Sequence, residues 1–312
     1  NKVYLVTRHT PQVEGLKYFV SDSATYLNNE QLIDALSIED ILPKFKINGI
    51  EREILQADSC YVTDVNHVLA PANTGSPILT IILAIDIENP SIVSAVCYNE
   101  STNGIYVSEN SIYLTQGDYT DGNEPKTLVH KFSIGSSIMY GGSGKIDGYI
   151  SGGSNRDFRI NEHEGFLRLV TTKLERFTVA TNTYPFSAVR SVFDHSLFIL
   201  KKTTGELNLE TIASLPNARQ PEPIGKPDED LYGVRFLGDR LYLVTYERID
   251  PLYVLDLSDH YNPIITGELE VKGFSDFLHP ANEDLLLGLG ADGNGLVKLE
   301  LFNVENLNNP FS

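Results

Sequence analysis

The residues of this chain best suited by type to do chemistry are spread along it. Asn161-Glu-His-Glu164 sets an imidazole between two carboxylates, the raw material of a zinc ligand or a general base. A helical zinc-protease motif needs a second histidine four residues on, where Leu167 stands, and the segment reads as a strand-to-turn junction. The seven histidines occur singly, and there is no paired-cysteine ligand set. No G-x-S-x-G nucleophile elbow occurs, and Gly141-Gly-Ser-Gly144 reads as glycine punctuation between strands. Oxygen-rich side chains gather at Asp118, Asp121, Asn123 and Glu124, which suits Ca2+, but the glycine falls at position five where an EF-hand loop wants it at six. The same residues equally describe an exposed hairpin tip. Asp292 and Asn294 form a second pair with the same two readings.

The richest set is Arg235, Arg248, Asp250, Asp276 and His279. Arg235 alternates with Val234 and Phe236, so its side chain leaves the face those two share. Converging near one axis or rim, the five would bind an anionic or polar ligand; otherwise they form ion pairs that fix strand register. Cys60 and Cys97 are either free buried thiols or one bridge, and strict disulfide geometry leaves the choice to the fold. A bridge would close a loop of about 37 residues, for roughly 3 to 4 kcal/mol in the chain-entropy account.

These residues hang on a repeated strand pair. Tyr232-Gly-Val-Arg-Phe236, a turn at Gly238-Asp239 and Leu241-Tyr-Leu-Val-Thr245 recur in degraded form. The copies are Ile105 to Thr115 around Glu109-Asn110, Phe158 to Val170 around Glu164-Gly165, and Phe274 to Leu287 around Asn282-Glu283. A second phrase follows, an apolar strand ending in Asp or Asn and then an Asn-Pro turn: Ile85-Asp86 to Asn89-Pro90, Leu255-Asp256 to Asn262-Pro263, and Phe302-Asn303 to Asn309-Pro310. Together they make a repeat of four strands and predict an all-β propeller of four-stranded blades, at least five in this chain, with incomplete terminal blades. Residues 1–312 read as one propeller domain. Residues 8–76 read as an insertion within the first blade, with short helices capped at Asn28 and Ser37 and ended by Pro43. Cys60 falls on that insertion and Cys97 on the last strand of the interrupted blade, a placement that favours the bridge. Between Thr172 and Leu197 the third blade is expected to carry a polar insertion. The chain begins at Asn1-Lys2-Val3 inside a strand pattern without an initiating Met, which reads as a processed or trimmed product.

Composition narrows the partners. Lys and Arg total 24 against 42 Asp and Glu, a formal charge of −18, which argues against a nucleic-acid partner because phosphate binding rests on cations. It permits a solvated acidic surface or one that recruits Ca2+. No run approaches 18 apolar residues, so no transmembrane segment is expected.

The segments Tyr232 to Thr245, Ile249-Asp-Pro-Leu-Tyr-Val-Leu-Asp-Leu257 and Gly273-Phe-Ser-Asp-Phe-Leu-His-Pro280 resemble a family of uncharacterised secreted proteins with a β-propeller domain distantly related to WD40 repeats. Gly144 to Ile150, Phe158 to Gly165 and Leu215 to Arg219 are similar to family segments as well. The resemblance implies a secreted or cell-surface protein and brings no catalytic residues. The expected function is a non-enzymatic extracytoplasmic binding or assembly module for a protein or polysaccharide partner, assisted by Ca2+, with homo-oligomers formed by strand completion. The alternative is an extracellular hydrolase of glycans or peptides with an axial active site.

Overall fold

The computed structural model describes residues 1–62, 78–118, 124–150, 156–181, 187–226, 229–246, 250–292 and 294–312. The chain divides into two compact units, residues 1–103 with 132–140 and residues 104–131 with 141–312.

The first unit holds β1 (Lys2–His9), α1 (Ser23–Asp34), α2 (Ile38–Ile41), β2 (Lys44–Ile47), β3 (Ile50–Glu53), β4 (Cys60–Tyr61), β5 (Leu79–Asp86) and β6 (Val93–Tyr98). Sheet one has the order β1-β5-β6-β4, antiparallel except that β4 runs parallel to β6. The cap expected at Asn28 lies instead at Asp22, whose carboxylate accepts the Thr25 N–H at 2.7 Å and leaves Asn28 inside α1. Ser37 caps α2 as expected, its N–H and hydroxyl both donating to Asp40. Hairpin β2-β3 turns through Asn48-Gly49, both at positive φ, the backbone that a two-residue turn between twisted strands requires. Leu55, with Ile41, Leu42, Phe45 and Ile54 around it, packs on Ile81, Leu83, Ala95 and Cys97 of sheet one. Cys60 and Cys97 are directly paired residues of β4 and β6, with Cα atoms 4.4 Å apart, and form a disulfide that ties this segment to the sheet. Residues 63–77, the rest of the proposed insertion, lie outside the described residues.

Sheet two comprises β7 (Gly104–Val107), β8 (Ser111–Asp118), β9 (Lys126–Ser133) and β10 (Met139–Asp147). Sheet three comprises β11 (Ile160–His163), β12 (Phe166–Ala180), β13 (Ser187–Lys202) and β14 (Leu209–Leu215). Sheet four comprises β15 (Asp230–Leu237), β16 (Arg240–Tyr246), β17 (Asp250–Asp256) and β18 (Ile264–Val271), and sheet five β19 (Phe274–Pro280), β20 (Leu285–Ala291) and β21 (Val297–Asn303). In each of these four sheets the strands sit in chain order, the meander that the repeated phrase predicted.

Two local expectations are corrected. The polar stretch after Thr172 is no insertion: it continues the β12-β13 hairpin, which stays in antiparallel register from Phe166↔Lys201 to Ala180↔Ser187. Gly141 to Gly144 does not separate strands but lies within β10. A Cβ on Gly142, at φ 126°, would stand 2.7 Å from the Leu207 carbonyl carbon, and one on Gly144 would stand 2.7 Å from the Leu209 carbonyl oxygen. The glycines therefore let β10 lie against the β14 edge, where Ser143 bridges Asn208.

The inner strands carry apolar residues on both faces because both are covered. Leu241 and Leu243 of β16 pack with Val170, Leu197 and Ile199 of sheet three. Their neighbours Tyr242 and Val244 point the other way and pack with Leu278, Leu286 and Phe302 of sheet five. Tyr113 and Val129 of sheet two meet Leu167, Leu169 and Leu200 of sheet three in the same manner. The recurring strand-end Asp or Asn is a turn device: Asp86 accepts backbone N–H groups of Glu88 and Asn89, Asp256 that of Ser258, and Asn303 that of Glu305.

Candidate functional site

The structure brings together part of the richest predicted set. Arg235 leaves the face of Val234 and sets its guanidinium 5.4 Å from the centre of the Phe158 ring. Phe158 meets Phe277 edge-on at 5.7 Å, and Phe277 stacks on His279 at 6.1 Å with ring planes 19° apart. Arg235, Phe158, Phe277 and His279 thus form one strip of planar groups along the first strands of sheets four and five and the 3-10 turn, Arg156–Arg159, that leads into sheet three. Arg235 Nε is buried and makes no hydrogen bond. Asp276 is the extra residue of a β-bulge, because Ser275 pairs with Gly290 and Phe277 with Leu289. Burial pushes its carboxyl above the usual range. Arg248 lies outside the described residues, as does the side chain of Asp250.

The acidic pairs have protein partners. Asp118 Oδ2 lies 2.9 Å from Lys145 Nζ, with its side chain buried, and Glu124 stands 3.9 Å from Lys126. Asp121 and Asn123 lie outside the described residues. Asp292 Oδ1 accepts the N–H groups of Leu296 and Asn294, which hold its carboxyl below the ordinary range, Leu296 contributing most. Among the described residues no group of three or more His, Cys, Asp or Glu is arranged to hold a metal ion, and no helix is long and apolar enough to cross a membrane.

Three polar assemblies escaped the sequence reading. At the junction of sheets two and three, Glu162 accepts Lys131 Nζ at 2.8 Å, Tyr113 Oη at 2.7 Å and Ser108 Oγ, while its own N–H donates to Tyr106 Oη at 3.0 Å. Burial alone would raise this carboxyl; the bonds from Lys131, Ser108 and Tyr113 outweigh it and hold the pKa down. Burial first, then the adjoining carboxylate, pushes the Tyr113 phenol far up. Between sheets three and four, fully buried Arg168 donates to Asn161 and to the Gly238 carbonyl and lies over the Phe236 ring. The third is a relay. Arg159 Nη1 donates to Thr172 Oγ1, whose hydroxyl donates to His195 Nδ1 at 3.0 Å; His195 Nε2 donates to the Glu229 carbonyl at 2.9 Å. Arg159 also reaches the Leu231 carbonyl, and Glu229 Oε2 accepts Thr245 Oγ1 at 2.6 Å. Burial lowers Arg159 and Arg168 to about 10 and lowers His195 as well.

The signal for these assemblies was a polar residue amid apolar strand neighbours, such as Arg168 between Leu167 and Leu169. His163, the zinc candidate, sits 3.1 Å from Asp239 Oδ1, and His260 lies 3.4 Å from Glu164 Oε2, two acid–imidazole pairs at neighbouring turns. In the first unit, a cleft of about 220 Å3 between α2 and β3 is lined by Ile38, Leu42 and Leu55 together with Lys44 and Glu53.

Comparison with known proteins places this architecture. A family described as "Beta propeller domain" matches residues 1–312. An uncharacterised protein of Methanocaldococcus jannaschii is 36% identical over 171 residues, covering 54% of this chain and 23% of that protein. An uncharacterised protein of Archaeoglobus fulgidus is 32% identical over 205 residues, covering 65% of this chain and 27% of that protein. The chain thus spans about a quarter of the length of these relatives. Among solved structures, a variant of Synechocystis apocarotenoid oxygenase superposes with a TM-score of 0.41 at 9% identity, covering 74% of this chain and 53% of that one.

Proposed function

We propose, on the premise that this chain belongs to the β-propeller domain family, that it is a non-enzymatic, extracytoplasmic module that binds a protein or polysaccharide partner. In this reading residues 1–312 form one propeller domain, the five sheets are its blades, and residues 8–76 are an insertion in the first blade.

The observation that carries the reading is the contrast between two kinds of polar group. Glu162, Arg168, Arg159 and His195 direct hydrogen bonds to neighbouring sheets, a use of polar groups that serves packing. Phe277 and His279 are exposed, and with Arg235 they offer flat apolar faces and a guanidinium. Such faces stack on sugar rings or aromatic side chains, while the guanidinium pairs with carboxylates. The Cys60–Cys97 disulfide supports an oxidising, extracytoplasmic setting.

The test is calorimetric titration of the chain with an acidic polysaccharide of uronic acids and with a neutral glucan. The acidic glycan should bind, and Phe277→Ala and Arg235→Met should each weaken it about tenfold or more, the scale of a stacking or charge-paired anchor. Binding unchanged in both variants would move the site elsewhere. Calcium assistance belongs to the same reading, and tighter binding in Ca2+ than in chelator is its expected sign.

A further inference from the structure

We propose that Asn99 is a glycosylation site, its side-chain amide the acceptor of one oligosaccharide from a lipid-linked donor. The inference goes beyond partner binding and uses none of Arg235, Phe158, Phe277 and His279.

Glycosylation of asparagine needs Ser or Thr two residues on, with any residue but proline between. Asn99-Glu-Ser101 meets that rule, and it is the one place in the chain that does. Asn89-Pro-Ser91 has the hydroxyl but is barred by Pro90. So short a pattern carries weight only if the fold presents it, and the fold presents the two residues that the chemistry uses. After β6 the chain leaves the sheet through a tight turn: the Glu100 N–H donates to the Tyr98 carbonyl at 2.9 Å, which sets Asn99 at the apex of three residues. Tyr98, Glu100 and Thr102 are buried, whereas Asn99 and Ser101 between them are partly exposed. Neither of those two side chains is engaged by a hydrogen bond with a described residue. The backbone around them is held on every side. The Asn99 N–H donates to the Tyr61 carbonyl at 2.9 Å, the Thr80 hydroxyl to the Glu100 carbonyl at 2.7 Å, and the Arg8 guanidinium to the Thr102 carbonyl.

The neighbouring cysteine supplies the setting independently. Cys97, two residues before Asn99, is bridged to Cys60, a bond that persists in the oxidising, extracytoplasmic compartments where glycosylated asparagines are found. The inference therefore rests on the extracytoplasmic part of the reading above. In the transfer step Asn99 Nδ2 forms a bond to the anomeric carbon of the first sugar. The bond from that carbon to the donor's phosphate oxygen breaks, the lipid-bound phosphate leaves with the electron pair, and the amide proton passes to a basic group of the membrane transferase. The Ser101 hydroxyl is the group by which the transferase reads the acceptor. The glycan then stands beside β4, the outermost described strand of sheet one, where bulk guards against pairing with another chain.

The chain is expressed with a secretion signal in a host that glycosylates asparagines, and intact mass and peptide mass spectrometry read the outcome. The unaltered chain should gain one oligosaccharide, on the peptide that holds Asn99. Asn99→Gln and Ser101→Ala should each lose it, and Ser101→Thr should keep it. Ile50→Thr is the internal control, since it completes the same pattern on the exposed Asn48-Gly49 turn. A bare Asn99 in a chain that the control shows modified at Asn48 overturns the proposal, and so does a glycan that survives Asn99→Gln. The protein isolated from its own cells should carry the glycan at Asn99 with the Cys60–Cys97 bridge formed. A formed bridge beside a bare Asn99 refutes the site alone, whereas free Cys60 and Cys97 thiols refute the extracytoplasmic reading with it.

Discussion

Glu162 offers the sharpest check on the reading that buried charge in this chain serves structure. Its carboxylate is the shared acceptor for Lys131, Tyr113 and Ser108, and the Lys131 and Glu162 side chains are each only 12% exposed. Glu162→Ala would leave an ammonium group and a phenol without their acceptor in a nearly dry junction, a loss of about 3 to 5 kcal/mol, the cost of breaking a buried pair from one side. Glu162→Gln keeps an acceptor of the same shape but removes the charge, and about 1 to 3 kcal/mol is expected. Removing both partners as Lys131→Met with Glu162→Leu abolishes the stranded charge, and the double variant should fall within about 1 kcal/mol of the parent. Urea unfolding followed by circular dichroism measures these chains together with the two singles of the pair, Lys131→Met and Glu162→Leu. A Glu162→Ala chain as stable as the parent, or a double variant whose cost is the sum of its singles, would refute the clamp. The pH dependence has a definite sign as well. The folded carboxyl titrates below its unfolded value, so its stabilisation is present above about pH 4.3 and is lost as the pH falls through the folded pKa. Glu162→Gln should accordingly flatten the acid limb of the stability curve.

Two further outcomes follow from the structure. The Cys60–Cys97 bridge spans 37 residues, and reduction or Cys60→Ala should lower unfolding stability by roughly 3 to 4 kcal/mol in the chain-entropy account; equal urea midpoints with and without reductant would contradict it. Burial holds His130 down to about 4, so the unfolded chain takes up the proton first as the pH falls below about 6.5. The stability this neutral imidazole contributes is complete above that pH and should shrink by about 2 kcal/mol by pH 5, with buried His195 shifted in the same direction. Unfolding free energies at pH 7 and pH 5 should converge in His130→Gln relative to the parent, and a parent equally stable at both pH values would sink the idea.

The repeat was legible because its markers are local. Asp86, Asp256 and Asn303 each close a turn with their own downstream backbone, and Glu164-Gly165 supplies the positive φ of a tight hairpin, so these residues announce the fold wherever they stand. The glycines of β10 were misread because their reason is not local: Gly142 and Gly144 answer to Leu207 and Leu209, more than sixty residues away, and nothing near them in the chain distinguishes close approach from a turn. The long β12-β13 hairpin was missed for a related cause, since its distal half is mostly exposed and intersperses polar with apolar residues, and so lacks the apolar run that signals a covered strand. For the site, alternation at Arg235 correctly turned its side chain away from Val234, but its aromatic partner Phe158 sits in another repeat, where no sequence spacing records it.

The same distinction explains why the charged residues that look most reactive are the least available. A sheet covered on both faces must carry apolar residues on successive positions, and any polar side chain among them must find its partner on the neighbouring sheet or bear a desolvation penalty. Arg168 reaches Gly238, Glu162 gathers Lys131 and Tyr113, and His195 meets the Glu229 carbonyl, so each polar exception becomes a fixed link between consecutive repeats. Stability in such an array is approximately a sum of nearest-neighbour contacts.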